Sequence, residues 1–149
     1  MAAVLFEIME MTAQDYEEIA GLWWNTEGIG LDDDTDNREG IAAYLARNPG
    51  LSYVARQQGQ IVGAVLCGHD GRRGYLHHLA VVLGHRHRGI GRALVEACLA
   101  KLGSIGIQKC NLFLFSGNVR QWVVAGITPS AAAHERASAC SSWRCRSPQ

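Results

Sequence analysis

YLHHLAVVLGHRHRGIGRALVEACL, residues 75–99, is the stretch that decides how the chain is read. Tyr75 to Val82 is an apolar run of β type, and Ile90, Leu94, Val95, Cys98, Leu99 and Leu102 recur at helical spacing. Between them Arg86-His87-Arg88-Gly89-Ile90-Gly91 spells Arg-x-x-Gly-x-Gly. A strand, a glycine turn and a helix in that order put a helix N-terminus at the turn. Unpaired N–H groups and the positive end of the macrodipole there bind phosphate oxygens. Gly89 and Gly91 keep side chains from holding a phosphate off the backbone, and Arg86, Arg88 and Arg92 add charge. A dinucleotide fingerprint needs a third glycine where Leu94 stands, and the Gly-Lys-Ser/Thr of a P-loop is absent. A glycine turn that holds no ligand is the plain alternative.

Working outward, Val4 to Met11 reads as a first strand. Thr12 then caps a helix whose Tyr16, Ile19, Ala20, Trp23 and Trp24 fall at helical spacing. A loop follows through Gly28, Gly30, Asp32, Asp33, Asp34 and Asp36. A second helix over Arg38 to Arg47 ends at Asn48-Pro49-Gly50. Leu51–Gln57 and Gln60–Cys67 form a hairpin turning at Gln58-Gly59, and Lys109–Phe115 is a fifth strand. The order strand, helix, helix, three strands, helix, strand defines an α/β (α+β) mixed sheet with helices packed on it.

A chain of 149 residues, 48% hydrophobic, buries one core and forms one domain. Its formal charge of zero offers no field to draw it to nucleic acid or an anionic membrane, so the expected partner is a small molecule or a local protein site. The opening residues lack a basic segment before an apolar one, and no apolar run nears the ~18 residues that span a bilayer. A cytoplasmic protein is expected. Cys67, Cys98 and Cys110 lie in apolar segments, Cys140 and Cys145 in a polar tail, and none has metal-type spacing. These read as reduced, structural thiols. A homodimer stays open.

Residues 75–99 resemble the central coenzyme A motif of the GNAT (Gcn5-related N-acetyltransferase) superfamily. The similarity runs from Val4 to about Asn118 and includes NTEGIGLDDDTD and GHDGRRGYLHHLAV, as in small bacterial members. Leu83 stands where the family usually has proline. The resemblance implies a mostly antiparallel sheet flanked by helices, acetyl-CoA as cosubstrate, and acetyl transfer to a primary amine of a small molecule or peptide. It also implies that the backbone of Leu79, Ala80 and Val81 holds the pantetheine arm. Arg86, His87, Arg88, Gly89, Ile90, Gly91 and Arg92 would surround the diphosphate, and Asn118 would touch coenzyme A. Residues 1–125 would form the acetyl-CoA-binding domain.

Acetyl transfer from a thioester to an amine needs the reactants positioned, a proton removed from an ammonium of pKa ~10, and a donor for the developing oxyanion. Strand alternation puts Tyr75, His77, Leu79 and Val81 on one face and His78 on the other. Tyr75 to Val81 is similar to the strand of arylalkylamine N-acetyltransferases, where two histidines two residues apart relay protons. His77 falls on the second of those positions and Tyr75 replaces the first. His77 is therefore the expected base or water relay, with Tyr75 assisting; a purely structural histidine is the alternative. No metal is expected, because adjacent histidines on a strand diverge. The acidic loop Glu27–Asp36 falls where the family binds the acceptor. It either attracts a cationic amine or is simply a solvated loop.

Beyond Asn118 the family pattern lapses. Gln121-Trp122-Val123-Val124-Ala125 lacks the family's thiolate-protonating tyrosine, and from Gly126 onward there is no leucine, valine or phenylalanine. Residues 126–149 read as an irregular or disordered tail with no clear strand, the pattern a shifted reading frame would leave, and the C-terminal part of the fold as incomplete. On that reading the fifth strand is a bare edge. A coenzyme A-binding module with little turnover is then the alternative function.

Overall fold

The computed structural model of the chain describes residues 5–26, 29, 31–113 and 140–144. Six strands form one sheet in sequential order: β1 (Glu7–Glu10), β2 (Tyr53–Gln57), β3 (Gln60–His69), β4 (Arg73–Val81), β5 (Lys109–Phe113) and β6 (Cys140–Arg144). Neighbours pair antiparallel except β4 and β5, which run parallel because α3 (Ile90–Ser104) crosses over between them. Helices α1 (Tyr16–Trp24) and α2 (Arg38–Arg47) cover the other face.

The α1 helix starts where Thr12 and Asp15 close on each other: Thr12 N donates to Asp15 Oδ2 at 2.9 Å, and Arg56 Nη2 donates to Asp15 Oδ1 at 2.6 Å. Asn37 caps α2, its Oδ1 accepting from Gly40 N at 2.7 Å. Asn48 ends that helix and fastens it to the sheet by accepting from His69 N at 3.2 Å. The ranges expected for α2 and for the start of β3 are the observed ones; β1 is shorter, since it pairs only with Tyr53–Arg56.

Because helices cover both faces, β3 is buried from Ile61 to Gly68 and reads as an apolar run without alternation. Leu94, Val95, Cys98 and Leu102 of α3 pack on Val62, Val65, Leu76 and Leu79; Ile19, Trp23 and Ile41 pack on Val54, Ala64 and Ala80. Each large side chain buried this way contributes roughly 1.5–3 kcal/mol. Glycine lets α3 sit close, since a Cβ on Gly63 would lie 3.0 Å from Leu94 Cδ1. Cys67, Cys98 and Cys110 are buried free thiols, and burial pushes that of Cys98 well up.

Two expectations are corrected. The pairs Ala64–Ala80 and Leu66–His77 show β3 advancing two residues while β4 advances three, so β4 carries a bulge. His78, at φ 54°, is the extra residue. Alternation therefore slips. Leu79 and Val81 join Leu76 on the α3 side, whereas His77 and His78 both line the cavity under α2; Tyr75, His77, Leu79 and Val81 do not share a face. The tail, secondly, is not strandless: Cys140–Arg144 pairs antiparallel with all of Lys109–Phe113. The unpaired N–H and C=O groups of β5 attract a strand whatever its polarity, so among the described residues β5 is not an edge. No helix among the described residues is long and apolar enough to cross a membrane.

Candidate active site

The first half of the site is the turn after β4. Leu83–His85 form a 3₁₀ turn, with His85 N donating to Val82 O at 2.8 Å. His87 (φ 63°) and Gly89 (φ 82°) then take left-handed backbone on either side of Arg88. The first helical bond is Ala93 N to Gly89 O, at 3.0 Å, so the amides from Gly89 to Arg92 have no intrahelical acceptor. A Cβ at Gly89 would meet nothing within 4 Å, which leaves the space before these amides open. Glycine is required at that position by its φ as well.

Arg88 and Arg92 are exposed, with Arg92 Nε donating to Glu96 Oε1 at 2.8 Å. Arg86 turns back, its Nε donating to Val81 O at 3.0 Å, so it braces the turn against the strand end. His85 Nδ1 is buried with no hydrogen-bond partner among the described residues. Ile90 and Gly91 are buried beneath the turn. Pairing of β4 with β5 ends at Leu76–Leu112, before Leu79, Ala80 and Val81. Open amides, a guanidinium and a strand end without a partner on its β5 side among the described residues suit a diphosphate with an arm running back along β4. Asn118 lies outside the described residues.

The second half is a cavity of about 680 Å³ between α2, the acidic loop and β4. Asp34, Thr35 and Asp36 line one wall, Ile41 and Tyr44 of α2 another, and Leu66, His77 and His78 the floor. Burial, and next the neighbouring His78, lower the pKa of His77 against the opposing pull of Asp36, so His77 is neutral near pH 7. Tyr44 meets His77 edge-on at 6.4 Å between ring centres, and burial pushes its hydroxyl far up, keeping it protonated. His78 Nε2 lies 3.0 Å from Asp36 Oδ1, and its ring lies 5.0 Å from that of Trp23. Tyr75 does not line this cavity. Its hydroxyl donates to Asp70 Oδ2 at 2.8 Å in the β3–β4 turn, where N–H groups of Arg73 and Arg72 bring Asp70 down to about 2.

The structure thus brings His77 to this cavity beside three residues that no sequence motif marks as site residues: Tyr44, His78 and Asp36. Tyr44 carried no signal beyond an aromatic on a helix. His78 was assigned away from the site by the same alternation that the bulge defeats. Asp36 was one of a string of aspartates, and only its contact with His78 sets it apart. Among the described residues no cluster of three or more His, Cys, Asp or Glu forms a metal site.

A glycine turn thus opens the crossover helix α3, beside a sheet whose β4 and β5 stop pairing beyond Leu76. The acetyltransferase (GNAT) family profile matches residues 8–122, and the chain belongs to that family. Acetyl-CoA is its cosubstrate. Acetyltransferases of Sodalis glossinidius and Photorhabdus laumondii are each 33% identical to it, over 112 and 114 residues, spanning 75% of this chain and 78% and 77% of theirs. Among solved structures, the PaiA N-acetyltransferase of Thermoplasma acidophilum in complex with coenzyme A superposes at a TM-score of 0.77, with 15% identity over 94% of this chain and 99% of that one. Diaminobutyrate acetyltransferase of Paenibacillus lautus, in complex with its substrate and coenzyme A, gives 0.69 with 17% identity over 82% and 73%. These two establish likeness of fold.

Proposed function

We propose that the chain is an N-acetyltransferase that moves an acetyl group from acetyl-CoA to a primary amine of a small molecule or peptide. The observation that carries this reading is His77, neutral and half-buried in a cavity that Asp34 and Asp36 line together with Arg47, on the strand that leads into the amide cradle. Acetyl-CoA brings the activated acyl group. The amides from Gly89 to Arg92, with Arg88, hold its diphosphate, and backbone groups of Leu79–Val81 orient its arm. The aspartate wall draws in a cationic amine. His77 takes the ammonium proton directly or through one water; the freed lone pair attacks the thioester carbonyl, the C–S bond breaks, and coenzyme A leaves as a thiolate that takes up the amine's second proton. Tyr75, bound to Asp70, has no part in this scheme. Support for the amine comes from the aspartate wall and from the N-acetyltransferase named among the solved neighbours.

Residues 126–149 favour a second reading, a module that binds coenzyme A with little turnover, since their composition departs from the rest of the chain. Calorimetry with acetyl-CoA followed by thiol release over a panel of amines tests both. Binding with thiol release from at least one amine is expected. Binding without release from any amine favours the module, and absence of binding sinks both.

A further inference from the structure

The bulge at His78 costs regular pairing and puts a non-glycine residue in left-handed backbone, so something in the fold must hold it there. Asp36 meets the side chain of that residue. Asp36 is a hub: Oδ1 meets His78 Nε2 at 3.0 Å, Oδ2 accepts from Asp32 N at 2.8 Å, and its carbonyl accepts from Tyr16 Oη at 3.1 Å. Its own N–H donates to Asp32 O at 2.7 Å. The two side chains are only 12% and 16% exposed, so the pair is largely out of water, where a charge-assisted bond is strong. A carboxylate oxygen only accepts, so Nε2 is the donating nitrogen. Asp36 belongs to one wall of the cavity and His78 to its floor, 42 positions apart in sequence.

We infer that the Asp36–His78 pair is a positioning device of this enzyme: it clasps the acidic loop to the bulged strand and so sets the width of the acceptor cavity. Neither residue need touch the amine. Loss of the pair lets the loop, residues 31–37, drift from β4, weakening hold on the acceptor while the cradle, on the far side of the turn, keeps its cosubstrate. The kinetic part of this inference rests on the acetyl-transfer reading; the structural part does not.

Two substitutions at one position separate the pair from the bulge. His78→Asn suits left-handed backbone but is too short to reach Asp36, whereas His78→Gln keeps an N–H near the place of Nε2. Hydrogen exchange of residues 31–37 is compared, with acetyl-CoA calorimetry as the folding control. His78→Asn is expected to speed exchange about tenfold, the factor one charge-assisted hydrogen bond provides, and His78→Gln to recover part of it. Asp36→Ala, the second variant, removes the same contact together with the acceptor of Asp32 N, so a rise at least as large is expected. For an amine that the unmodified protein acetylates, KM of the amine rises about tenfold in His78→Asn, while kcat and the KM of acetyl-CoA stay within about threefold. Unchanged exchange in His78→Asn, or slower exchange in His78→Asn than in His78→Gln, overturns the inference. If no amine is acetylated, the proposed function fails and the exchange result still decides the clasp.

Discussion

At the scale of single residues, His77 and His78 are neighbours in sequence with different work. His77 is the proton acceptor of the proposed reaction, and replacing it with Gln is expected to lower kcat/KM by about 10²–10⁴-fold with acetyl-CoA affinity unchanged, read by thiol release and calorimetry. Near-normal turnover would remove it from that role. Burial lowers its pKa in the folded protein, so the acid limb of the pH profile that belongs to His77 falls below the ordinary value of about 6.5 and vanishes in the Gln variant. The same shift makes the unfolded chain the better proton binder. The stability this implies is present above about pH 6.5 and lost as pH falls through the folded value, a loss that urea midpoints at two pH values would register. His77 was legible from the strand and its likeness to a histidine relay. His78 and Asp36 were not, because a period of two cannot foresee a bulge and a row of aspartates does not say which one turns inward.

At the scale of elements, the turn between β4 and α3 is where sequence and structure agree most closely. Arg-x-x-Gly-x-Gly after an apolar run predicts a helix start with bare amides, and α3 begins at Ile90 with Gly89 in the left-handed region. Gly89→Ala forces a Cβ onto φ 82°, a strain of about 1–3 kcal/mol. Weaker acetyl-CoA binding, by about tenfold, and a lower urea midpoint are expected together; unchanged affinity would mean the amides of this turn do not hold the diphosphate. Arg86 shows the limit of the sequence view. The motif presents it as a charge for the phosphate, and the structure adds a second contact, Nε donating to Val81 O, that follows from the 3₁₀ turn rather than from the motif.

At the scale of the whole molecule, the question is what closes the sheet. The family profile stops at Trp122, yet β6 still covers β5 along five residues. A chain ending at Ser138 would lose that cover and offer β5 as a pairing edge. Such a truncation is expected to aggregate at concentrations where the full chain stays monodisperse, as light scattering would show. Equal solubility of the two forms would mean that β6 does not protect the edge.

The order of elements from β1 to β5, the ends of α2 and the glycine turn that opens α3 were determined by the sequence alone, because each rests on local chemistry: period, capping, and the freedom of glycine. Tertiary structure alone decided that His77 and His78 share a cavity, that Asp36 meets His78, and that a polar tail segment completes a sheet. Those outcomes depend on partners 27 to 42 positions away, Phe113 to Cys140 and Asp36 to His78 being the measures, and no local pattern encodes which distant group will be there.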